Sequence, residues 1–300
     1  MFASPGGGYS RGYYDLPAFR GELYSEAEHH TAQGIIFIAY DHLGVGDSSC
    51  PDEELTISLI AAANDAAIRE MVGMIEGGTL SPRLPPLGSF FKIGIGQSMG
   101  GAMTIVMQGA HGTFDAIIPL ASSAIHPCLP QRSPEADRRS EEGWSSQGSR
   151  DVPRLRDAAE LAQYIADYVY PFFWDDVPAE IINADQAGGF PVRRQSPSWG
   201  SKTIPRCASL FMTRGCIAAE AAAVTVPVLV CVGERDTCPE PRAEPTAFAR
   251  ATDVSVFMVP KMAHMHNFAS TRRILWERIV GWSRFIAKAR STDATVSRTL

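Results

Sequence analysis

Three residues of this chain have side chains and surroundings suited to nucleophilic chemistry. Ser98 sits in Gly96-Gln97-Ser98-Met99-Gly100, after the apolar run Phe90–Ile95 and before the helical-looking Ala102–Met107. A serine on a sharp strand-to-helix turn needs side-chain-free neighbours two positions away, because strand and helix pass close together there. Gly96 and Gly100 meet that need, and Gly101 lets the helix lie close to the sheet. A serine hydroxyl is a weak nucleophile until a base takes its proton, and the base in turn needs an orienting group. Asp236 follows the apolar run Val226–Gly233, while His264 and His266 follow Val254–Pro260. An isolated Asp after a strand is ordinarily a turn residue and an isolated His ordinarily structural. Ser, Asp and His in that order at successive strand ends point instead to one reacting chain.

Such a chain requires elements that bring distant residues to one edge, and the hydropathy pattern supplies them. Ile35–Tyr40, Phe90–Ile95, Phe114–Leu120, Val226–Gly233 and Val254–Pro260 are short apolar runs of the kind buried on both faces of a parallel sheet. Helical spacing of Leu55, Leu59, Ala62, Ala63, Ala66, Ala67, Met71 and Met74 predicts a helix from Leu55 to Ile75, stopped by Gly77-Gly78. A final helix is expected from about Ser270 to Lys288. The alternation predicts an α/β fold with a mostly parallel sheet flanked by helices, its strand ends gathered on one edge. Asp41 and His42 follow the first of these runs. Adjacent residues on extended chain point to opposite sides, so both are expected to fix the Gly44-Val45-Gly46 turn rather than act together.

The rhythm breaks between Leu120 and Thr225. Pro130–Pro153 reads as a polar loop, Leu155–Tyr170 as an amphipathic helix ended by Pro171, and Cys207–Ala223 as helical. Tyr164, Tyr168, Tyr170, Phe172, Phe173 and Trp174 cluster in sequence, as the core of an inserted subdomain or the wall of a pocket beneath it. The expected organisation is a core over 1–121, a mainly helical insertion over 122–224, a second core portion over 225–290 and a flexible tail over 291–300.

Composition narrows the function. With 27 Lys and Arg against 33 Asp and Glu, the net charge is −6, and no basic run marks a nucleic-acid partner. No apolar run reaches the roughly 18–20 residues needed to span a bilayer, and the start lacks the pattern of a secretory signal. The six scattered cysteines show neither metal-ligand spacing nor a C-x-x-C pair and read as free thiols. A cytoplasmic setting follows as the expectation, with no cofactor or metal required.

These motifs together resemble the α/β-hydrolase superfamily, in particular its lidded serine esterases. The matching stretches are Ile35–Ser48, Gly96–Gly101, Val226–Asp236 and Pro260-Lys261-Met262-Ala263-His264. The resemblance implies Ser98 as nucleophile, His264 rather than His266 as base, Asp236 as the orienting acid, and the insertion as a lid over the site. The oxyanion donors it implies are the backbone N–H of Met99 and one from the glycine loop Gly6-Gly7-Gly8-Tyr9, Gly7 or Gly8. The implied activity is hydrolysis of a carboxylic ester through an acyl-enzyme, and the aromatic cluster of the insertion suits a small-molecule substrate with a hydrophobic or aromatic group. Alternatives are C–C bond or lactone cleavage by the same residues, or a non-catalytic ligand-binding protein or truncated pseudoenzyme. The resemblance also leads us to expect N-terminal strands to be missing. A central strand should lie between the Ile35 and Phe90 runs, yet only Met1-Phe2-Ala3 precedes the glycine loop, so the chain reads as N-terminally truncated.

Overall fold

Strands buried on both faces must carry apolar side chains at every position, because successive residues point to opposite sides. In the computed structural model, which describes residues 1–296, six strands form one parallel sheet in the order β2-β1-β3-β4-β5-β6, buried in its interior and partly exposed at the β2 and β6 edges. They are β1 (Phe2–Ser4), β2 (Ile38–Ala39), β3 (Ile93–Gln97), β4 (Ala116–Leu120), β5 (Val228–Arg235) and β6 (Val254–Ala263). On one face Ala3, Ile95, Ile118, Leu229 and Cys231 pack in a core with Leu275, Trp276 and Ile279. On the other, Phe2, Ile117, Val228, Val230 and Val232 pack with Ile60, Met103 and Ala221.

The helices carrying those residues are α2 (Ile57–Glu76), α3 (Met99–His111), α8 (Ala218–Ala223) and α9 (Arg272–Val296), and α1 (Glu26–Ala32) precedes them in the chain. Helix α2 exposes Leu59 and buries Ile57, Ile60, Ala61, Asn64, Asp65 and Ile68. The expected apolar face is therefore rotated. Two polar residues belong to the buried stripe because each is hydrogen-bonded there: Asn64 to His42 and Asp65 to Thr113.

The expectation of a missing central strand is corrected. Phe2–Ser4 occupies the slot between β2 and β3, pairing Phe2 with Ile38 and Gly94, Ala3 with Ala39 and Ile95, and Ser4 with Gly96. Three residues give no periodic signal of their own, and the two neighbouring ladders make them a strand. Strand β2, conversely, is a short and half-buried edge rather than an interior strand.

Between β4 and β5 lie α4 (Pro134–Ser145), α5 (Ala158–Ala162), α6 (Val169–Phe172), α7 (Ala179–Gln186), a 3-10 helix over Arg206–Met212, and α8. The expected polar loop contains α4. Its start carries helix-capping chemistry: Ser133 caps the Ala136 amide, Pro134 follows at the first turn, and Glu135 and Asp137 sit near the positive helix end. The single helix expected over Leu155–Tyr170 is instead α5 and α6, separated by irregular chain. Helix α9 runs to Val296, past the expected end and into the tail expected over 291–300, whose residues 297–300 lie outside the described residues.

Candidate active site

The turn at Ser98 is strained and held from both sides. Its φ of 55° and ψ of −117° lie where a non-glycine residue costs about 1–3 kcal/mol. Its amide donates to Leu120 O at 2.8 Å in the neighbouring strand, and its carbonyl accepts from Ala102 N at 3.0 Å. A Cβ on Gly96 would lie 2.2 Å from Gly100 O, and one on Gly100 only 2.1 Å from Ser4 O. The two glycines thus let α3 cross β3 and β1 at contact distance.

Ser98, His264 and Asp236 meet at the carboxyl edge of the sheet. His264 Nδ1 lies 2.7 Å from Asp236 Oδ1, and His264 Nε2 lies 2.9 Å from Ser98 Oγ. Burial works against the Asp236 charge, but hydrogen bonds from His264 and His266 outweigh it and hold the carboxyl well below the usual carboxylate range. An ionised carboxylate only accepts, so the His264 proton on that side is on Nδ1. Nε2 is then left as an acceptor facing the serine hydroxyl. Asp236 also accepts from Gly233 N at 2.8 Å and Thr237 N at 2.7 Å. His266, the other histidine considered as base, lies on the far oxygen, with Nε2 3.1 Å from Asp236 Oδ2.

Each partner is fixed by the elements around it. Phe172 packs its ring 5.0 Å from that of His264. The His264 and Met265 amides donate to Pro171 O at 3.0 Å and Phe172 O at 2.9 Å, so α6 of the insertion supports the histidine loop. Gln97 Nε2 donates to His264 O at 3.0 Å. That role was not foreseen, since adjacency to Ser98 is the only sequence signal for it.

The glycine loop lies directly against the serine. A Cβ on Gly6 would meet Gln97 Oε1 at 2.2 Å and Ser98 Cβ at 3.1 Å. Gly7 lines the cavity together with Ser98 and Met99. Gly8, at φ +80°, faces Phe190, Pro191 and Ile204, and its carbonyl accepts from Ser201 N at 3.0 Å and Arg193 Nε at 3.3 Å. Asp41 and His42 fix this region, as expected, and on opposite sides. Asp41 accepts from Arg11 N at 2.6 Å and Asp47 N at 3.1 Å. His42 Nδ1 accepts from Asn64 Nδ2 at 2.8 Å, which puts its proton on Nε2, 3.1 Å from Pro5 O. Burial drives its pKa down to about 4, against the weaker opposing pull of the Pro5 carbonyl and Asp41.

Above Ser98 is a cavity of about 130 Å³ whose lining is mostly apolar. Tyr168, Phe172 and Phe190 form one wall, with mutual ring separations of 5.6, 5.3 and 5.0 Å in edge-on geometry. The aromatic run thus divides between roles. Phe173 is buried against Phe268 at 5.7 Å, and Tyr170 and Trp174 stack on the Arg235 guanidinium at 4.0 and 4.7 Å. Tyr164 pairs with Arg156 at 2.7 Å.

A serine joined through histidine to aspartate at the carboxyl edge of a parallel sheet, under an apolar cavity, is the arrangement of a hydrolase on a doubly covered α/β scaffold. The model of the alpha/beta hydrolase family matches residues 2–275, and the chain belongs to that family. Nothing among the curated proteins matches it. Solved structures resemble it in fold. An esterase from Thermogutta terrifontis is 15% identical with a TM-score of 0.61, covering 95% of this chain and 89% of its own. The monoacylglycerol lipase of Paleococcus ferrophilus is 14% identical with a TM-score of 0.59, covering 94% and 92%. The enol-lactonase from Burkholderia xenovorans LB400 is 14% identical with a TM-score of 0.57, covering 94% and 90%.

Proposed function

We propose that this hydrolase cleaves a small carboxylic ester, with Ser98 as nucleophile, His264 as general base and acid, and Asp236 as the orienting carboxylate. The observation carrying this reading is the continuous chain Ser98 Oγ–His264 Nε2–His264 Nδ1–Asp236 Oδ1, at 2.9 and 2.7 Å. His264 Nε2 takes the serine proton as Oγ attacks the carbonyl carbon, and Asp236 stabilises the imidazolium that forms. The tetrahedral oxyanion is met by the Met99 amide at the positive end of α3 and by the Gly7 amide. Gly7 is preferred to Gly8 because Gly7 lines the cavity while Gly8 turns toward the insertion. Collapse of the intermediate expels the alcohol, which takes its proton from His264. Water activated by the same ring then hydrolyses the acyl-enzyme.

The insertion acts as the lid, and Tyr168, Phe172 and Phe190 favour a hydrophobic or aromatic group on the substrate. Six free cysteines are in keeping with a cytoplasmic setting. A lactone is an internal ester and calls on the same groups, so lactones belong in the assay alongside C–C substrates. The test is turnover of p-nitrophenyl esters of increasing acyl length, with lactones and dienone-type ketones, by wild type and Ser98→Ala. Ester turnover lost in Ser98→Ala is the expected result. Equal turnover by both proteins overturns the assignment, and ligand binding without turnover favours a binding protein.

A further inference from the structure

Asp236 is gripped by two imidazoles, and the second has no part in the chain that ends at Ser98. On Oδ1 are His264 Nδ1 and Thr237 N, with Thr237 Oγ1 farther off at 3.4 Å, and on Oδ2 are His266 Nε2 and Gly233 N. These donors fill the acceptor sites of an ionised carboxylate, which cannot then rotate without breaking one of them. His266 is 1% exposed, and its other nitrogen, Nδ1, is buried without a partner. A hydrophobic side chain of similar size would fill that space and leave no polar atom unpaired. What the imidazole alone contributes is the Nε2–H on Asp236.

Its position is also imposed from outside. The next residue, Asn267, donates its amide to Tyr13 Oη at 3.0 Å and its Nδ2 to Tyr13 O at 3.2 Å, and accepts from Trp276 Nε1 at 2.9 Å. The ring is thereby presented to Asp236 by α9 and the N-terminal segment together. The other titratable groups in the field of Asp236 are Tyr13 and Cys238, both pushed up by burial and so neutral at ordinary pH.

We infer that His266 is a positioning residue of the reaction: its Nε2–H locks the Asp236 carboxylate so that Oδ1 faces His264 Nδ1, and it shares the carboxylate charge that would otherwise fall on His264 alone. This rests on the reading of Ser98, His264 and Asp236 given above. A glutamine at 266 can place its Nε2–H where the histidine does, whereas alanine and phenylalanine cannot.

The test compares His266→Ala, His266→Phe and His266→Gln by ester kinetics over pH, together with the proton NMR signal of the His264 Nδ1–H. Alanine and phenylalanine should each lower kcat about 10-fold, with KM little changed, because the carboxylate loses its alignment. The acid limb of kcat/KM should move to higher pH, since Asp236 with one donor fewer holds the His264 proton more tightly. Glutamine should stay within about 3-fold of wild type and keep both the limb and the NMR signal in place. Phenylalanine keeps the ring volume and so decides the matter if alanine fails to fold. Wild-type rates and an unmoved NMR signal in the phenylalanine variant overturn the inference, as does a glutamine variant as impaired as phenylalanine. Should no variant, wild type included, turn over any ester, the proposed function fails, while the NMR comparison still decides the role of His266.

Discussion

The amide of Ser201 donates to the carbonyl of Gly8 at 3.0 Å, so the glycine loop beside Ser98 is stitched to the segment inserted between β4 and β5. The same seam has Ser10 N donating to Trp199 O at 2.9 Å and an antiparallel bridge between Tyr9 and Gly200. Beneath it, fully buried Asp185 accepts from Tyr9 Oη and Trp199 Nε1, both at 2.8 Å. Arg193, equally enclosed, pairs with Asp185 and lies over the Tyr9 and Phe190 rings at 5.1 Å from each. The loop proposed to meet the oxyanion is therefore shaped by the insertion as much as by the sheet.

Asp185→Ala should be severely destabilising and should also slow the reaction. It leaves the buried Arg193 cation without its carboxylate, which typically costs about 3–5 kcal/mol. Thermal melts read the first effect. For the second, kcat on a short-chain ester should fall, because the glycine loop loses its tether.

Gly100→Ala should fail structurally before it fails chemically. Its Cβ would sit 2.1 Å from the Ser4 carbonyl oxygen, a backbone atom of β1 with ladders on both sides. Relief requires β1 and α3 to separate, at about 3 kcal/mol or more. Loss of soluble protein, or a lowered melting temperature, is the expected readout. By contrast a Cβ on Gly73, on α2, meets nothing within 4 Å, and Gly73→Ala should be neutral or mildly stabilising.

The sequence carried the site further than it carried the scaffold, for identifiable physical reasons. Ser98, Asp236 and His264 were legible because each ends a strand whose apolar run is long enough to see. The glycines around Ser98 also declare a close crossing that composition alone reveals. Phe2–Ser4 was illegible because three residues have no period, and their strand character comes wholly from neighbours distant in sequence. The face of α2 was misplaced because Asn64 is buried to hold His42, an arrangement that a hydropathy count scores as solvent-facing. In the insertion, the cap at Ser133 was there to be read beneath a polar composition. The break between α5 and α6 had no such marker. Gly7 and Gly8 could not be separated by sequence, since what distinguishes them is the side of the loop that the insertion covers.

His42 gives the protein a calculable acid sensitivity. Its folded-state pKa of about 4 lies below its ordinary value of 6.5, so the unfolded chain takes up the proton first as pH falls. Its contribution is complete above pH 6.5 and is lost progressively as pH falls toward 4, a swing of about 3 kcal/mol at full protonation. His42→Gln can keep the donor to Pro5 O and removes the titration. Urea unfolding of the two proteins at pH 7.5 and pH 4.5 should show a smaller pH-dependent loss in the variant. An equal loss in both would assign the acid sensitivity elsewhere.

Activation of Ser98 is the central claim, and covalent capture by a phosphofluoridate such as diisopropyl fluorophosphate tests it most directly. The reagent reports a serine oxygen that its own base makes nucleophilic, whatever the physiological substrate. Intact mass and peptide mapping should show one adduct, on Ser98, in the wild type and none in Ser98→Ala. Labelling should slow by about 10³-fold or more in His264→Ala, where the proposed base is gone. A wild-type protein that stays unlabelled, or a Ser98→Ala protein that labels as readily, would contradict the account.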